Sequence, residues 1–322
     1  MICFRQSFSL DTTSPFGRLV ADYLRDHTLL AESRRKFSAE CAEFAVWLAG
    51  RHGRAAAVED LTRAGLHEWM DSLTAAGLAG STVNSKRSSL VALANYAAEC
   101  GRVPALKKVK KMVVGLDPPD SWSREEYAAL LSACARVPGD WHGVPAWLCW
   151  EMGVRMVTEA CARFSELWLA RVEDVDLAAR TWLSRAVNRK GKRRGLRHQL
   201  SEHTCELIAR SLDQSQWLES PRDRLWPFPF RKECQWVHLK KILESAGLSA
   251  TSRDAWHKLR RTGESFLAAE VGVELAAAYA GHTPEVARRH YIDTCRGNER
   301  SLADLIAERL EPAGPPGLRV VG

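Results

Sequence analysis

Tyr291, His257, Arg260, His282 and Arg163 are the residues of this chain whose types and spacing can do chemistry together. His257-Lys258-Leu259-Arg260 sets an imidazole and a guanidinium three positions apart, neighbours on one face of a helix. Gly281-His282 follows, and Tyr291 comes nine positions after that histidine. A tyrosine hydroxyl has an unperturbed pKa near ~10, so as a nucleophile it must lose its proton while it attacks. Nearby cations favour that loss, and a histidine can serve as general acid or base. Guanidinium forks hold oxyanions and stabilise charge that builds in a transition state.

The elements that must position these residues can be read from hydrophobic spacing. A helix over residues 255–269 puts Leu259, Phe266 and Ala269 on one face and His257, Arg260, Arg261 and Glu264 on the other. Alone, that is an ordinary amphipathic helix with a solvated charged face and Glu264 paired to Arg260 or Arg261. Gly281-His282 and Tyr291 are what make it more. Residues 145–158, with Trp147, Leu148, Trp150 and Met152, form a largely apolar, buried helix that runs into Glu159-Ala160-Cys161-Ala162-Arg163-Phe164-Ser165-Glu166-Leu167. Upstream, Ser123 and Glu126 make a capping box for another helix. Strand signals are convincing only in 181–200: Trp182 to Val187 alternates, Gly195 to Leu200 is its partner, and Asn188-Arg189-Lys190-Gly191-Lys192-Arg193-Arg194 is a cationic turn between them. A charged tip protects a sheet edge, and one this basic also suits a phosphate backbone. Helices then begin near Ser201 and over 233–246.

In that order (arginine box, basic hairpin, His-x-x-Arg, Gly-His, tyrosine) the chain resembles the tyrosine recombinases of phage-integrase type. Arg163, Ser165, Glu166 and Leu167 match the family's first arginine box, while Cys161 stands where glycine is usual and Phe164 where isoleucine is. Arg261 takes a place where a second histidine is frequent, and Ala280 one where leucine is usual. The resemblance implies a mainly α fold with a small β-sheet: a two-domain, C-shaped clamp with a helical core-binding domain and a mixed α+β catalytic domain. It implies catalytic roles for Arg163, His257, Arg260, His282 and Tyr291, and for a hairpin lysine that protonates the leaving 5′ oxygen. Counting back from Leu200 favours Lys190, and Lys192 remains an alternative. Neither a cofactor nor a metal is expected, because the phosphotyrosyl bond keeps the phosphodiester's energy and arginines take a Lewis acid's role.

The remaining sequence supplies the domain plan. Residues 1–15 carry no clear pattern and read as a leader, too short for a separate arm-binding domain, so the simple two-domain form is expected. Residues 16–102 read as four helices, built on Leu19, Tyr23 and Leu30, on Phe37 to Leu48, on 61–75, and on a segment opened by Ser81 or Thr82. Arg63, Lys86, Arg87 and Arg102 there are available for phosphates, although charged helix faces are commonly just solvated. Residues 103–121, broken by Pro104, Gly115, Pro118 and Pro119, read as a linker whose Lys107, Lys108, Lys110 and Lys111 can follow a DNA backbone. Arg189, Lys192, Arg193, Arg194 and Arg261 complete the candidate DNA contacts. The catalytic domain is placed at 122–295, and 296–322 is a C-terminal helix and tail.

Composition bounds the rest. A net charge of +7 over 322 residues suits a polyanionic partner without demanding one. Nine scattered cysteines exclude a CxxC zinc motif and argue against a disulfide framework, which points to a reduced cytosol, in contact with the nucleoid if the source is prokaryotic. No apolar run is long enough to span a bilayer, so no membrane is expected. Twelve tryptophans indicate packing only. Leu302, Leu305, Ile306 and Leu310 form an apolar stripe in 301–310. Such a helix commonly folds back on its own domain, whereas the resemblance implies docking onto a neighbour, giving dimers and then tetramers on double-stranded DNA. Two other readings stay open: a non-catalytic DNA-binding protein of the same fold, and a type IB topoisomerase-like enzyme.

Overall fold

Ser14 accepts a hydrogen bond from the Gly17 amide at 3.0 Å and Pro15 occupies the first turn, so the first helix, α1 (Pro15–Asp26), starts where its capping chemistry dictates. In the computed structural model, which describes residues 10–115, 118–189, 194–216, 218–251 and 254–293, the chain divides into two compact units, Met1–Leu116 and Asp117–Gly322. The first unit continues with α2 (Ala31–His52), α3 (Arg63–Ala75) and α4 (Gly80–Glu99). Leu19, Phe44, Leu66, Leu90 and Leu93 are fully buried among them. Leu30, expected in the first helix, instead precedes α2, and α4 opens one to two residues before Ser81 and Thr82, without a side-chain cap.

Residues 103–115 contain no helix or strand, but they are not a loose linker. Val109 is buried in the first unit's core. Asn84 brackets Met112, donating to its carbonyl at 3.0 Å and accepting from its amide at 2.9 Å. The far end, residues 118–122, belongs to the second unit: the Trp122 amide donates to Thr262 Oγ1 at 2.9 Å, and Lys258 Nζ reaches Asp120 at 2.5 Å. Each end of the segment is therefore held by its own unit.

The second unit is built around α6 (Ala146–Glu159), in which Leu148, Cys149, Trp150, Met152, Val154, Met156 and Val157 are all fully buried. A helix this apolar must be enclosed on most sides, and Glu151 and Arg155, paired at 2.9 Å, occupy its one half-buried face. It is preceded by α5 (Arg124–Cys134), opened by the Ser123–Glu126 capping box, and by a two-residue hairpin, β1 (Asp140–Trp141) with β2 (Val144–Pro145). After it come α7 (Phe164–Trp168) and an antiparallel sheet of β3 (Val175–Asp176), β4 (Thr181–Ser184) and β5 (Leu196–Gln199), in that order. The register sets Trp182 opposite His198 and Ser184 opposite Leu196. The helices α8 (Glu202–Gln214), α9 (Gln235–Ser245), α10 (Ala255–Val271), α11 (Val273–Ala280) and α12 (Pro284–His290) complete it.

An aromatic cluster cements this unit. Trp150 lies 5.4 Å from Trp226 and 6.2 Å from Trp256, and Phe164 stacks on Trp256 at 4.5 Å. The Trp226 indole donates to the Cys149 carbonyl at 2.8 Å, which satisfies a buried N–H. Thus Phe164, one residue after Arg163, and Trp256, one residue before His257, rest on a common floor. Among the described residues, no helix is long and apolar enough to cross a membrane.

Candidate active site

Two helix exits shape the site. At the end of α6 the Ala162 amide returns to the Val157 carbonyl at 3.0 Å and the Cys161 amide to Thr158 at 3.2 Å. This hydrogen-bond pair needs a left-handed residue between them, and Cys161 takes it with φ 45°. The position is one where glycine fits without cost, and the cysteine accepts about 1–2 kcal/mol of strain. At the end of α11 the same arrangement recurs: the His282 amide returns to Ala277 at 3.1 Å and Gly281 has φ 77°. Here glycine has a second reason. A β-carbon on Gly281 would lie 2.0 Å from Arg189 Nη2.

These exits aim the functional side chains. Arg163 caps α7 and donates to Glu166 Oε1 at 3.1 Å. Glu166 is buried and accepts from Ser184 on β4 at 2.6 Å. Arg260, with only 1% of its surface exposed, donates from Nη1 to the Cys161 carbonyl and from Nη2 to Ala280 at 3.0 Å. It is locked between the two exits, and its Nε–H is buried without a hydrogen-bond partner among the described residues. Burial pushes its pKa down, with Arg163 adding to the effect and Tyr291, Glu264 and Glu166 opposing it; arginine remains cationic.

The Arg260 guanidinium carbon sits 4.7 Å from the centre of the Tyr291 ring, and the His282 ring stacks on that tyrosine at 4.8 Å and 18°. His282 Nε2 lies 2.9 Å from Glu264 Oε1, and Nδ1 lies 3.1 Å from the Thr283 carbonyl. Both ring nitrogens are engaged, so the donation to phosphate expected of His282 requires the ring to give up a partner. His257 presents its ring at the surface but is backed by protein. Its pKa is lowered, chiefly by burial and then by Arg260, Arg261 and Arg163, against Asp254. Neutral imidazole at pH 7 follows, the form that can accept a proton.

Arg163, His257, Arg260, His282 and Tyr291 thus come together from α7, α10, the α11 exit and the end of α12. Glu264 does not pair with Arg260 or Arg261, as a solvated helix face would require: it is fully buried against His282. Other candidate cations are diverted. Arg261 holds Asp254 at 2.7 Å and the Asp120 carbonyl at 2.7 Å, bracing α10. Lys86 pairs with Glu43, and Arg87 donates to the Val109 carbonyl, so both serve the first unit's own packing. Arg63, Lys107, Lys108, Lys110, Lys111 and Arg194 are exposed. Lys190, Lys192 and Arg193 lie outside the described residues. Residues that spacing did not reveal as parts of the site are Ser184, which holds Glu166, and Arg189, whose side chain turns inward to Gly281. No group of three or more metal-ligating side chains occurs among the described residues.

No protein-family profile and no curated protein sequence matches the chain. Solved structures do. XerH site-specific recombinase bound to palindromic difH substrate superposes with a TM-score of 0.65 at 16% identity, over 94% of this chain and 90% of that one. The chain has the tyrosine-recombinase fold. The Tn1549 transposon integrase in complex with circular intermediate DNA gives 0.63 at 13% identity, covering 92% and 99%. A lambda integrase tetramer bound to a Holliday junction gives 0.60 at 15%, covering 91% and 80%. Identities this low show the fold alone.

Proposed function

We propose that this protein is a tyrosine-type site-specific DNA recombinase that cleaves and rejoins duplex DNA through a 3′-phosphotyrosine intermediate. The observation that carries the reading is the packing of Tyr291 against both the Arg260 guanidinium and the His282 ring. The Arg260 guanidinium over the Tyr291 ring keeps an Nε–H without a hydrogen-bond partner among the described residues, a donor that an oxyanion could use. The Tyr291 oxygen attacks the scissile phosphorus as its proton leaves, and His257 is assigned to take or relay it. Arg163 and Arg260 hold the non-bridging oxygens, each fixed in advance so that little reorganisation accompanies the reaction. The 5′ oxygen departs with a proton from Lys190 or Lys192, leaving a free 5′ hydroxyl. Attack by another 5′ hydroxyl reverses the bond and joins a new strand.

For assembly, the reading uses a cavity of about 960 Å³ in the second unit, lined by Phe266, Leu267, Val271, Leu275 and Tyr279. An apolar stripe such as Leu302, Leu305, Ile306 and Leu310 from a second copy suits such a lining, which gives dimers and tetramers on DNA in the cytoplasm, at the nucleoid of a prokaryotic cell. Incubation with nicked duplexes drawn from DNA flanking the gene, followed by a denaturing gel, tests the reaction. Wild type is expected to give a covalent adduct and Tyr291→Phe none, with binding unchanged. An adduct that persists in Tyr291→Phe names another nucleophile, and binding without any adduct in wild type reduces the protein to a DNA-binding fold.

A further inference from the structure

Arg189, at the base of the hairpin, has its side chain withdrawn from solvent, with 10% of it exposed. It links three pieces of the site. Its Nη1 donates to the Arg194 carbonyl across the turn at 3.1 Å, and its Nη2 donates to the Gly281 carbonyl at 3.4 Å. Its Nε faces Glu166, the carboxylate that also holds Arg163, at 3.7 Å. The missing β-carbon of Gly281 is the space this guanidinium fills.

Its placement carries an electrostatic cost. Burial lowers the Arg189 pKa, Glu166 raises it, and Arg163, Arg260 and Arg194 lower it further. Three guanidiniums gathered near one buried carboxylate repel one another, so the position is stable only where each holds something. Arg163 and Arg260 are accounted for by the oxyanion. Like Arg260, Arg189 gives both Nη groups to backbone carbonyls, and what sets it apart is that one of these lies across the hairpin turn and the other at the Gly281 exit.

We propose that Arg189 is a positioning residue that ties the base of the basic hairpin to the Gly281-His282 turn, and through it fixes the His282 ring against Tyr291. The inference rests on the reading of Tyr291 as nucleophile. Its consequence is a mechanical link: where the hairpin sits on the duplex sets whether the tyrosine segment is aligned. Phosphate contact would give Arg189 a different signature, since a backbone cation lost costs affinity in every complex.

The test uses the full-length protein and the variant Arg189→Gln, with Lys190→Ala and Lys192→Ala beside it. Duplex affinity is expected to stay within about twofold of wild type while single-turnover cleavage falls at least tenfold. A 5′-phosphorothiolate substrate, whose leaving group hardly needs a proton, should rescue the general-acid lysine variant and leave Arg189→Gln slow. Equal losses in affinity and cleavage overturn the proposal in favour of a phosphate contact, and thiolate rescue overturns it in favour of proton donation. A second measurement needs no substrate: hydrogen exchange at the amides of His282 and Tyr291 should quicken at least tenfold in Arg189→Gln, with α6 unchanged. Unchanged exchange at both amides refutes the link whatever the enzyme does. Loss of adduct formation in wild type itself counts against the recombinase reading, and that exchange result still decides Arg189.

Discussion

Gly263→Ala gives the most decisive test of how the site is held, because its sign reverses the usual rule. Within a helix, replacing glycine by alanine ordinarily stabilises by about 1 kcal/mol. Gly263 sits on α10 where that helix meets the end of α6, and a β-carbon there would lie 2.0 Å from the Thr158 carbonyl oxygen. Ordinary contact begins at 3.4 Å, so the two helices must part by about 1.4 Å. Neither partner is a flexible side chain that can swing aside. Overpacking of this kind costs about 1–3 kcal/mol. Parting the helices also stretches the bond from Arg260 Nη1 to the Cys161 carbonyl, a charge-assisted bond worth about 1.5–3 kcal/mol. Set against the helix-propensity gain, the net is a destabilisation of about 3 kcal/mol. For a unit of some 200 residues that lowers Tm by about 6–12 °C. Thermal and urea unfolding followed by tryptophan fluorescence reads it, and cleavage should fall further than stability at 25 °C explains because Arg260 is displaced. A Gly263→Ala protein as stable as wild type, or more so, refutes the close α6–α10 approach and the locking of Arg260 that depends on it.

Other expectations can be checked independently. His198 is buried with neither ring nitrogen hydrogen-bonded among the described residues, and burial lowers its pKa to about 4. The unfolded chain therefore binds a proton that the native state refuses between pH 6.5 and about 4, so stability falls as pH drops through that window, by about 3 kcal/mol in all; His198→Phe should remove that part of the slope in pH-dependent urea titrations. Arg260→Lys should leave cleavage at least a hundredfold down, since a compact ammonium, for all its three N–H groups, lacks the planar fork that spans the Cys161 and Ala280 carbonyls; near-normal single-turnover rates would show the fork is not used. Leu305→Glu with Ile306→Glu should keep single-site binding and lose the higher assemblies in light scattering on saturated DNA, and tetramers that persist would place that segment on its own subunit.

Much of the site was legible because its spacing is helical. His257 and Arg260 are presented by one helix, and the Gly-His pair is a helix exit that only a left-handed residue can make. What spacing could not show is that α10 is packed on more than one side. A two-faced helix puts Arg260 and Glu264 in water, whereas α11 and the α11–α12 turn cover them, and that covering is a tertiary fact. Arg261, expected as a DNA contact on the same face as Arg260, holds Asp254 instead, because one step along a helix turns a side chain by about 100°. At Cys161 the one sign of a left-handed backbone was that it stands where glycine is usual in the family the chain resembles, since cysteine itself does not mark a positive φ. The strands β1, β2 and β3 are two residues each, too short for any alternation to register. The segment 103–121 carried the composition of a linker, and nothing in it distinguished Val109 and Met112, which anchor it to the first unit, from exposed Val113 and Val114 beside them.

The indoles gathered under the site have an optical consequence. Trp141, Trp150, Trp226 and Trp256 lie 5.4–6.5 Å from one another in the pairs 141–150, 141–226, 150–226, 150–256 and 226–256. Chromophores this near share excitation, so the cluster absorbs and emits as a unit, with a near-ultraviolet dichroism that isolated tryptophans lack. One member, Trp256, is covalently adjacent to His257. Under the proposed function, a duplex settling over that histidine is expected to perturb the light from the whole group, which would give the second unit an unlabelled reporter of its own occupancy.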